Sequence, residues 1–369
     1  MSVLLTSIGA AVYSVGRTLV ICVCGLLLAK YRLKAGGAAT WKDIGRLNAE
    51  LCSPCLIISV FTKGLDSSLI GQLWAVPLLA LILSVLWLFL GGLAARLLLA
   101  KDQRHFVSFA ATTCAFPNGF AIPFTLMVGL CQVVPWLSED SRGSDFSAAL
   151  CILFSFVTMM EIWSIAFWLF GRAAARELAA NAEADTEASE DKNQLPSPTG
   201  KASAFRAVKE MLNPTMVGMF LALALSLSPW RVAFVESPVW EILQSVGAVS
   251  VPLILLQMGA SMAHLPKIGA STQLTMRSAF TIVGIRMLIC NAVGCGIVWS
   301  FRLSGWLPDR HTTLVLLIQC CSPTAANMML VSVVQGAYVQ PMAILLFLMN
   351  LACVPVMASC IALHVVMLS

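Results

Sequence analysis

Charge is what this chain has least of. Asp, Glu, Lys and Arg make up 11% of its 369 residues, against about 25% in a soluble globular protein. With 59% of residues hydrophobic, that scarcity excludes a water-soluble fold. Catalytic motifs are missing too. No HExxH, GxGD or GxSxG sequence occurs, and no phosphate-cradling P-loop, so neither an intramembrane hydrolase nor an ATP-driven pump has its machinery in this chain. The four histidines (His105, His264, His311 and His364) stand at span ends or near the C-terminus rather than in a cluster. The net charge of +5 says little about nucleic acid, because the basic residues are scattered over loops, and no nucleic-acid partner is expected. The thirteen cysteines lie mostly within apolar runs, as at Cys22, Cys24, Cys151, Cys290, Cys320 and Cys321, where thiols behave as small apolar side chains. Cys52 and Cys55 have the spacing of a metal or redox pair, but no second pair accompanies them. The expectation is therefore no metal site, no cofactor and no disulfide framework.

What is present is a succession of apolar runs of roughly 20 residues, the length that spans a bilayer as a helix. Ten spans are expected, at about 8–29, 44–63, 73–99, 106–130, 147–170, 212–229, 239–262, 276–300, 311–335 and 341–367. The N-terminal run lacks the basic n-region of a cleaved signal and continues past Arg17 to about Leu28, which reads as a first transmembrane helix. One long polar stretch separates five spans from five. Its core, Ala182 to Lys192, is acidic, rich in small residues and without periodicity, the composition of a disordered linker. The expected organisation is a first five-helix unit over 1–170, a cytoplasmic linker over 171–204 and a second five-helix unit over 205–369.

Basic residues set the orientation. With the N-terminus outside, 16 of the 23 Lys and Arg residues fall in cytoplasmic loops, five fall outside (Lys63, Arg142, Arg231, Arg302 and Arg310) and two, Arg17 and Arg286, lie within spans. That bias predicts that neither terminus is cytoplasmic. Five spans per half is an odd number, so the second half enters the bilayer from the opposite side. The halves then read as inverted repeats, a direct physical route to alternating access. The fold class expected is an all-α membrane protein of ten helices in two inverted five-helix repeats.

The repeats share an interruption. Phe116-Pro117-Asn118-Gly119 sits in the fourth span, and Ser322-Pro323-Thr324-Ala325-Ala326-Asn327 in the ninth, 206 positions on from proline to proline. A central proline removes a backbone donor and clashes with the carbonyl four residues back. Irregular backbone at membrane depth is tolerated only within protein or beside a polar cavity, and a matched pair of broken spans points to a transporter's binding site. Freed amides at the positive ends of the half-helices, with Asn118 and Asn327 beside them, suit a carboxylate. The plainer alternative is that these prolines only kink their helices and the asparagines satisfy the freed carbonyls.

Other polar candidates are few. Glu161 is the only acidic residue deep inside a span, where a charge costs about 2.5–3.5 kcal/mol on insertion scales. It is read either as a proton or cation site that couples transport, or as a structural glutamate bonded to Ser155 or Thr158. Arg286, midway along span eight, is read as a partner for Glu161, a counter-charge for an anionic substrate or a structural salt bridge. Pro54 and Pro252 bend the second and seventh spans, with Ser59 and Gln257 as the nearby candidates for substrate contact. Gly247, Gly259 and Ala260 suit close helix packing.

At these residues the chain resembles the auxin efflux carrier family, the PIN and PIN-like proteins within the bile acid–arsenite–riboflavin transporter superfamily. Ile44-Gly45-Arg46-Leu47-Asn48 through Pro54 and Ser59 resembles the family's second span. Phe116-Pro117-Asn118-Gly119-Phe120-Ala121-Ile122-Pro123 is similar to the plant crossover. Asn213-Pro214, then Val251-Pro252-Leu253-Ile254-Leu255-Leu256 with Gly259-Ala260-Ser261, match further hallmarks, and Ser322 to Asn327 resembles the ninth-span crossover of bacterial and PIN-like members. The linker is far shorter than in long-loop plant carriers, and the glutamine that follows the ninth-span proline in plant members is absent. The resemblance implies a scaffold of spans one, two, six and seven, a mobile unit of the other six, substrate bound between them beside the crossover, and a homodimer through the scaffold.

The function expected is a secondary or facilitative carrier that exports small organic anions, auxin-like or other carboxylates, by an elevator-type mechanism, with a proton as candidate coupling ion. An ion channel and a receptor-like protein are the rivals. A channel generally needs a ring of equivalent pore-lining residues, and a receptor would show seven spans or a sizeable folded domain.

Overall fold

In hydrocarbon every backbone N–H and C=O must be satisfied within its own segment, so long apolar runs have one stable open-chain solution, the helix. The computed structural model describes residues 16, 20–32, 37–64, 73–140, 143–175, 214–263, 274–307, 309–335 and 337–368. Among the described residues every regular element is helical, and extended backbone pairs at a single place. Arg17 and the acidic linker core, 182–192, lie outside the described residues.

Six of the described helices are long and apolar enough to cross a membrane: Asp43–Gly64, Ala75–Leu98, Gly143–Ala175, Pro238–Gln257, Met276–Leu303 and Val339–Leu368. Each coincides with an expected span. Spans four and nine fall below that length because each is two helices, Val107–Ala115 with Ala121–Val133, and Arg310–Cys321 with Asn327–Gln335. The sixth span is described over Pro214–Leu227.

Several long helices carry a widened, π-helical turn. One covers Asn48–Cys52, just ahead of Pro54, which has no N–H to return to its own preceding turn. Two others flank the ionisable candidates: Ile162–Ala166 follows Glu161 directly, and Ile285–Cys290 contains Arg286. Such π-bulges concentrate at functional positions in helices.

Packing falls into two groups. Ser53–Gly64 takes Pro214–Leu227 and Pro238–Ala248 along its sides, and Gly37–Leu47 lies on Ser250–Ala263. In the second group Ala75–Leu98 runs along Val107–Ala115, while Arg310–Cys321 is held between Asn291–Leu303 and Val339–Leu368. The Gly143–Glu161 helix touches both groups, and an ion pair from Lys63 to Asp145 at 2.7 Å joins them at one end.

The first-span helix, described over 20–32, meets Ser250–Ala263 of this first group backbone to backbone. A Cβ on Gly259 would collide with the Cys22 carbonyl, and one on Gly25 with the Leu256 carbonyl, so the two glycines let this pair of helices cross without side chains between them. That is the small-residue contact expected where the hydrophobic effect cannot drive helices together.

Candidate functional site

Pro117 has no N–H to offer the carbonyl of Thr113, four residues back. The Thr324 hydroxyl takes that place, donating to the Thr113 carbonyl at 2.5 Å. From there the two interrupted strands of backbone run antiparallel and bond to each other. The Asn118 N–H donates to the Pro323 carbonyl at 2.6 Å, and the Ala325 N–H donates to the Phe116 carbonyl at 2.9 Å. Pro117 and Thr324 form the one isolated β-bridge among the described residues. Gln319 adds a side-chain tie, its Nε2 donating to the Gly119 carbonyl at 2.7 Å. The two breaks thus satisfy one another, which is how irregular backbone persists inside a membrane protein.

Arg286 holds the second break through the Ser322 carbonyl. Its Nη2 donates to the Ser322 carbonyl at 2.7 Å, and its guanidinium stands 4.5 Å from the centre of the Trp87 ring. Trp87 is itself fixed, donating its Nε1 proton to the Cys290 carbonyl at 2.7 Å. Arginine and tryptophan are both fully buried, at 0% exposure. The Arg286 Nε and Nη1 groups have no hydrogen-bond partner. Among the described residues no carboxylate lies within ion-pairing distance of Arg286, so the pairing with Glu161 considered from sequence is not made. A buried charge without a counter-ion is strongly unfavourable, and the ring face of Trp87, worth about 2 kcal/mol when desolvated, offsets only part of that.

Glu161 faces elsewhere. It is 6% exposed, and neither carboxylate oxygen has a hydrogen-bond partner. The Ser84 hydroxyl lies beside it but donates to the Ala80 carbonyl at 2.9 Å. Ser155 and Thr158, the bonding partners considered from sequence, turn back onto their own helix, donating to the carbonyls of Cys151 (2.7 Å) and Ser155 (3.1 Å). A hydroxyl on a helix reaches the carbonyl three or four residues back more readily than a neighbouring side chain.

The other candidates divide between the crossover and the first packing group. The Asn118 side chain is buried and hydrogen-bonds to no described residue, while Asn327 is exposed and reaches the Met159 sulfur at 3.0 Å. Neither asparagine satisfies the freed carbonyls; Thr324 and the opposite backbone do. Ser59 is buried, donates to the Leu56 carbonyl at 3.1 Å and sits in the Ser53–Gly64 helix. Gln257 lies against Gly45, in the contact between the second and seventh spans.

Sequence reading missed Thr324, Gln319 and Trp87. Thr324 was within reach, since a hydroxyl next to a helix-breaking proline is a natural carbonyl partner. It also missed a buried relay at the far end of the ninth span. There His311 Nδ1 pairs with Asp140 Oδ2 at 3.0 Å while Nε2 contacts the Ser147 hydroxyl. Ser147 is fully buried in a helix, so this Ser-His-Asp set fastens helices together and presents no nucleophile.

Two apolar helices broken at matching places and bonded break to break, with every regular element among the described residues helical, define a membrane transport protein. The chain belongs to the membrane transport protein family, the family of auxin efflux and PIN-like carriers, which it matches over residues 10–361. That is a family of transporters and not of enzymes. Among its relatives is Protein PIN-LIKES 6 of Arabidopsis thaliana, 22% identical over 369 aligned positions that cover 87% of this chain and 84% of that protein. Protein PIN-LIKES 7 of the same plant is 23% identical over 353, covering 84% and 86%. An uncharacterised transporter of Saccharomyces cerevisiae is 30% identical over 105, covering 28% and 24%.

Proposed function

We propose that this protein is a secondary or facilitative carrier that exports small organic anions, auxin-like or other carboxylates, across a lipid bilayer. The observation that carries the reading is Arg286: a fully buried guanidinium bonded to the crossover backbone, with two of its nitrogens unpartnered and no carboxylate of a described residue beside it. An anionic substrate arriving at the crossover supplies the missing counter-charge, and charge-assisted bonds from the free guanidinium nitrogens hold a carboxylate oxygen strongly. The buried Asn118 amide adds a donor on the opposite break.

The wider reading is of ten helices in two inverted five-helix repeats, with both termini on the non-cytoplasmic side. Spans one, two, six and seven act as scaffold. The packing of Ser53–Gly64 with Pro214–Leu227 and Pro238–Ala248 supports that division. The other six spans carry the crossover and move as an elevator, and the protein pairs as a homodimer through its scaffold. Glu161, buried and without a hydrogen-bond partner on the helix that also bears Ser155 and Met159, is the site for a coupling proton.

Charge movement in proteoliposomes, with indole-carboxylate, dicarboxylate and amino-acid substrates across a pH range, tests this directly. A saturable current for one acid class, lost in Asn118→Ala and Arg286→Gln, is the expected outcome. Unitary channel openings would make it an ion channel instead. No anion current and no anion binding would point to a receptor-like protein.

A further inference from the structure

Every cysteine in the chain is a free thiol, and several converge behind the second break. Cys295 and Cys321 both donate to the Asn291 Oδ1, at 3.2 and 3.3 Å, and the same amide's Nδ2 reaches the Cys360 sulfur at 3.4 Å. His364 stands one turn beyond Cys360 on the same helix face. One ligand atom each from Cys295, Cys321 and His364 lie within 4.8 Å of one another. The three come from the eighth, ninth and tenth spans, and no two of them stand at a metal-motif spacing. Only the fold brings them together.

We infer that Cys295, Cys321 and His364 form a binding site for a thiophilic divalent cation of the zinc class. Thiolate and imidazole donors select soft or borderline ions, and the cluster contains no carboxylate for a hard one. Zinc sits about 2.3 Å from sulfur and about 2.0–2.1 Å from nitrogen, so its ligand atoms stand roughly 3.5–4 Å apart, a separation that atoms already within 4.8 Å of one another reach by small side-chain shifts. Charge decides the valence. Two thiolates and a neutral imidazole cancel a divalent ion, leaving a neutral complex in apolar surroundings where Cys321 is 0% and His364 6% exposed. A monovalent ion would leave a buried net charge. In the metal-free protein Asn291 gathers both thiols by accepting their protons on its side-chain oxygen; metal capture releases those two protons to solvent and gives up these two bonds.

The position gives the site consequences. Cys321 ends the Arg310–Cys321 helix and directly precedes Ser322, whose carbonyl Arg286 holds. An ion here clamps the eighth, ninth and tenth spans together immediately beside the crossover, whatever the substrate is. The Trp299 indole donates to His364 Nδ1 at 3.4 Å. Trp299 therefore stands against the proposed ligand, and its emission is a convenient reporter of occupancy.

Full-length protein, reduced and stripped of metal in lipid nanodiscs, is titrated with Zn2+ by calorimetry and then examined by zinc-edge X-ray absorption. Stoichiometric binding with sulfur and nitrogen ligation is expected. Affinity should fall at least about tenfold in Cys321→Ala and in His364→Ala, since even outer-shell changes produce that much. The double variant Cys52→Ala/Cys55→Ala should bind as the parent does. The absorption spectrum is taken on the unaltered chain, so it decides the matter even if a cysteine variant does not fold. A bound ion without sulfur neighbours, binding that follows the Cys52/Cys55 pair, or no stoichiometric binding overturns the inference.

Discussion

Thr324 gives its hydroxyl proton to the Thr113 carbonyl at 2.5 Å, and that carbonyl is the one Pro117 leaves bare. Thr324→Val keeps the shape and removes the donor, leaving a buried carbonyl unsatisfied. The expected loss is about 1–3 kcal/mol of stability, read as a lower midpoint in thermal unfolding of the purified protein. Thr324→Ser keeps the hydroxyl and should recover most of that loss. If Val and Ser variants unfold alike, the hydroxyl is not what closes the break.

Arg286 is expected to be irreplaceable by lysine. Arg286→Lys retains the positive charge but loses the planar fork that bonds the Ser322 carbonyl while lying over Trp87. Saturable organic-anion flux should fall by at least about tenfold in both Arg286→Lys and Arg286→Gln, equivalent to about 1.4 kcal/mol or more of lost transition-state stabilisation. Trp87→Phe, which keeps a ring face but loses the bond to the Cys290 carbonyl, should give an intermediate loss. Wild-type flux in the lysine variant would remove Arg286 from the proposed site.

For Glu161 the decisive readout is the shape of a pH profile. Glu161→Gln fixes a neutral side chain of the same size in the pocket beside Ser84. If this carboxyl carries the coupling proton, transport in the glutamine variant continues but no longer responds to pH. A variant that keeps the parental pH dependence assigns the coupling elsewhere, with the buried His311–Asp140 pair as the next group to test.

Gly259→Leu drives a side chain into the Cys22 carbonyl. Overpacking of this kind destabilises by about 1–3 kcal/mol, occasionally more. The expected result is a reduced monodisperse fraction in detergent by size-exclusion chromatography. Gly296→Leu, on a position with open space around it, serves as the control and should behave as the parent.

Much of the helical layout was legible because hydropathy at bilayer length is a strong signal. All six long helices fall on expected spans, and both proline breaks fall where proline chemistry puts them. The site was legible only along the chain. Pro117 and Pro323 announce that backbone groups are freed, but nothing local says which distant group will take them, so Thr324 and the backbone-to-backbone bonds went unread while the asparagines drew attention. Arg286 and Glu161 stood out as isolated charges, yet Arg286 meets a ring face and a carbonyl and Glu161 bonds to no hydroxyl on its own helix, and neither arrangement leaves a sequence pattern. The thiol cluster was invisible for the same reason: Cys295, Cys321 and His364 belong to three different helices.

The mutual repair of the two breaks also sets a timetable for making the protein. The Asn118 N–H and the Thr113 carbonyl find their partners in Pro323 and Thr324, which leave the ribosome about 200 residues later. At roughly 5–20 residues per second of synthesis, the first half waits on the order of 10–40 s with polar backbone groups bare inside the bilayer. Insertion machinery, lipid headgroups or trapped water must shelter the nascent chain for that interval. A chain that stops between the halves never leaves that exposed state, so the cell's membrane quality control meets it as an unfinished product rather than as a smaller transporter.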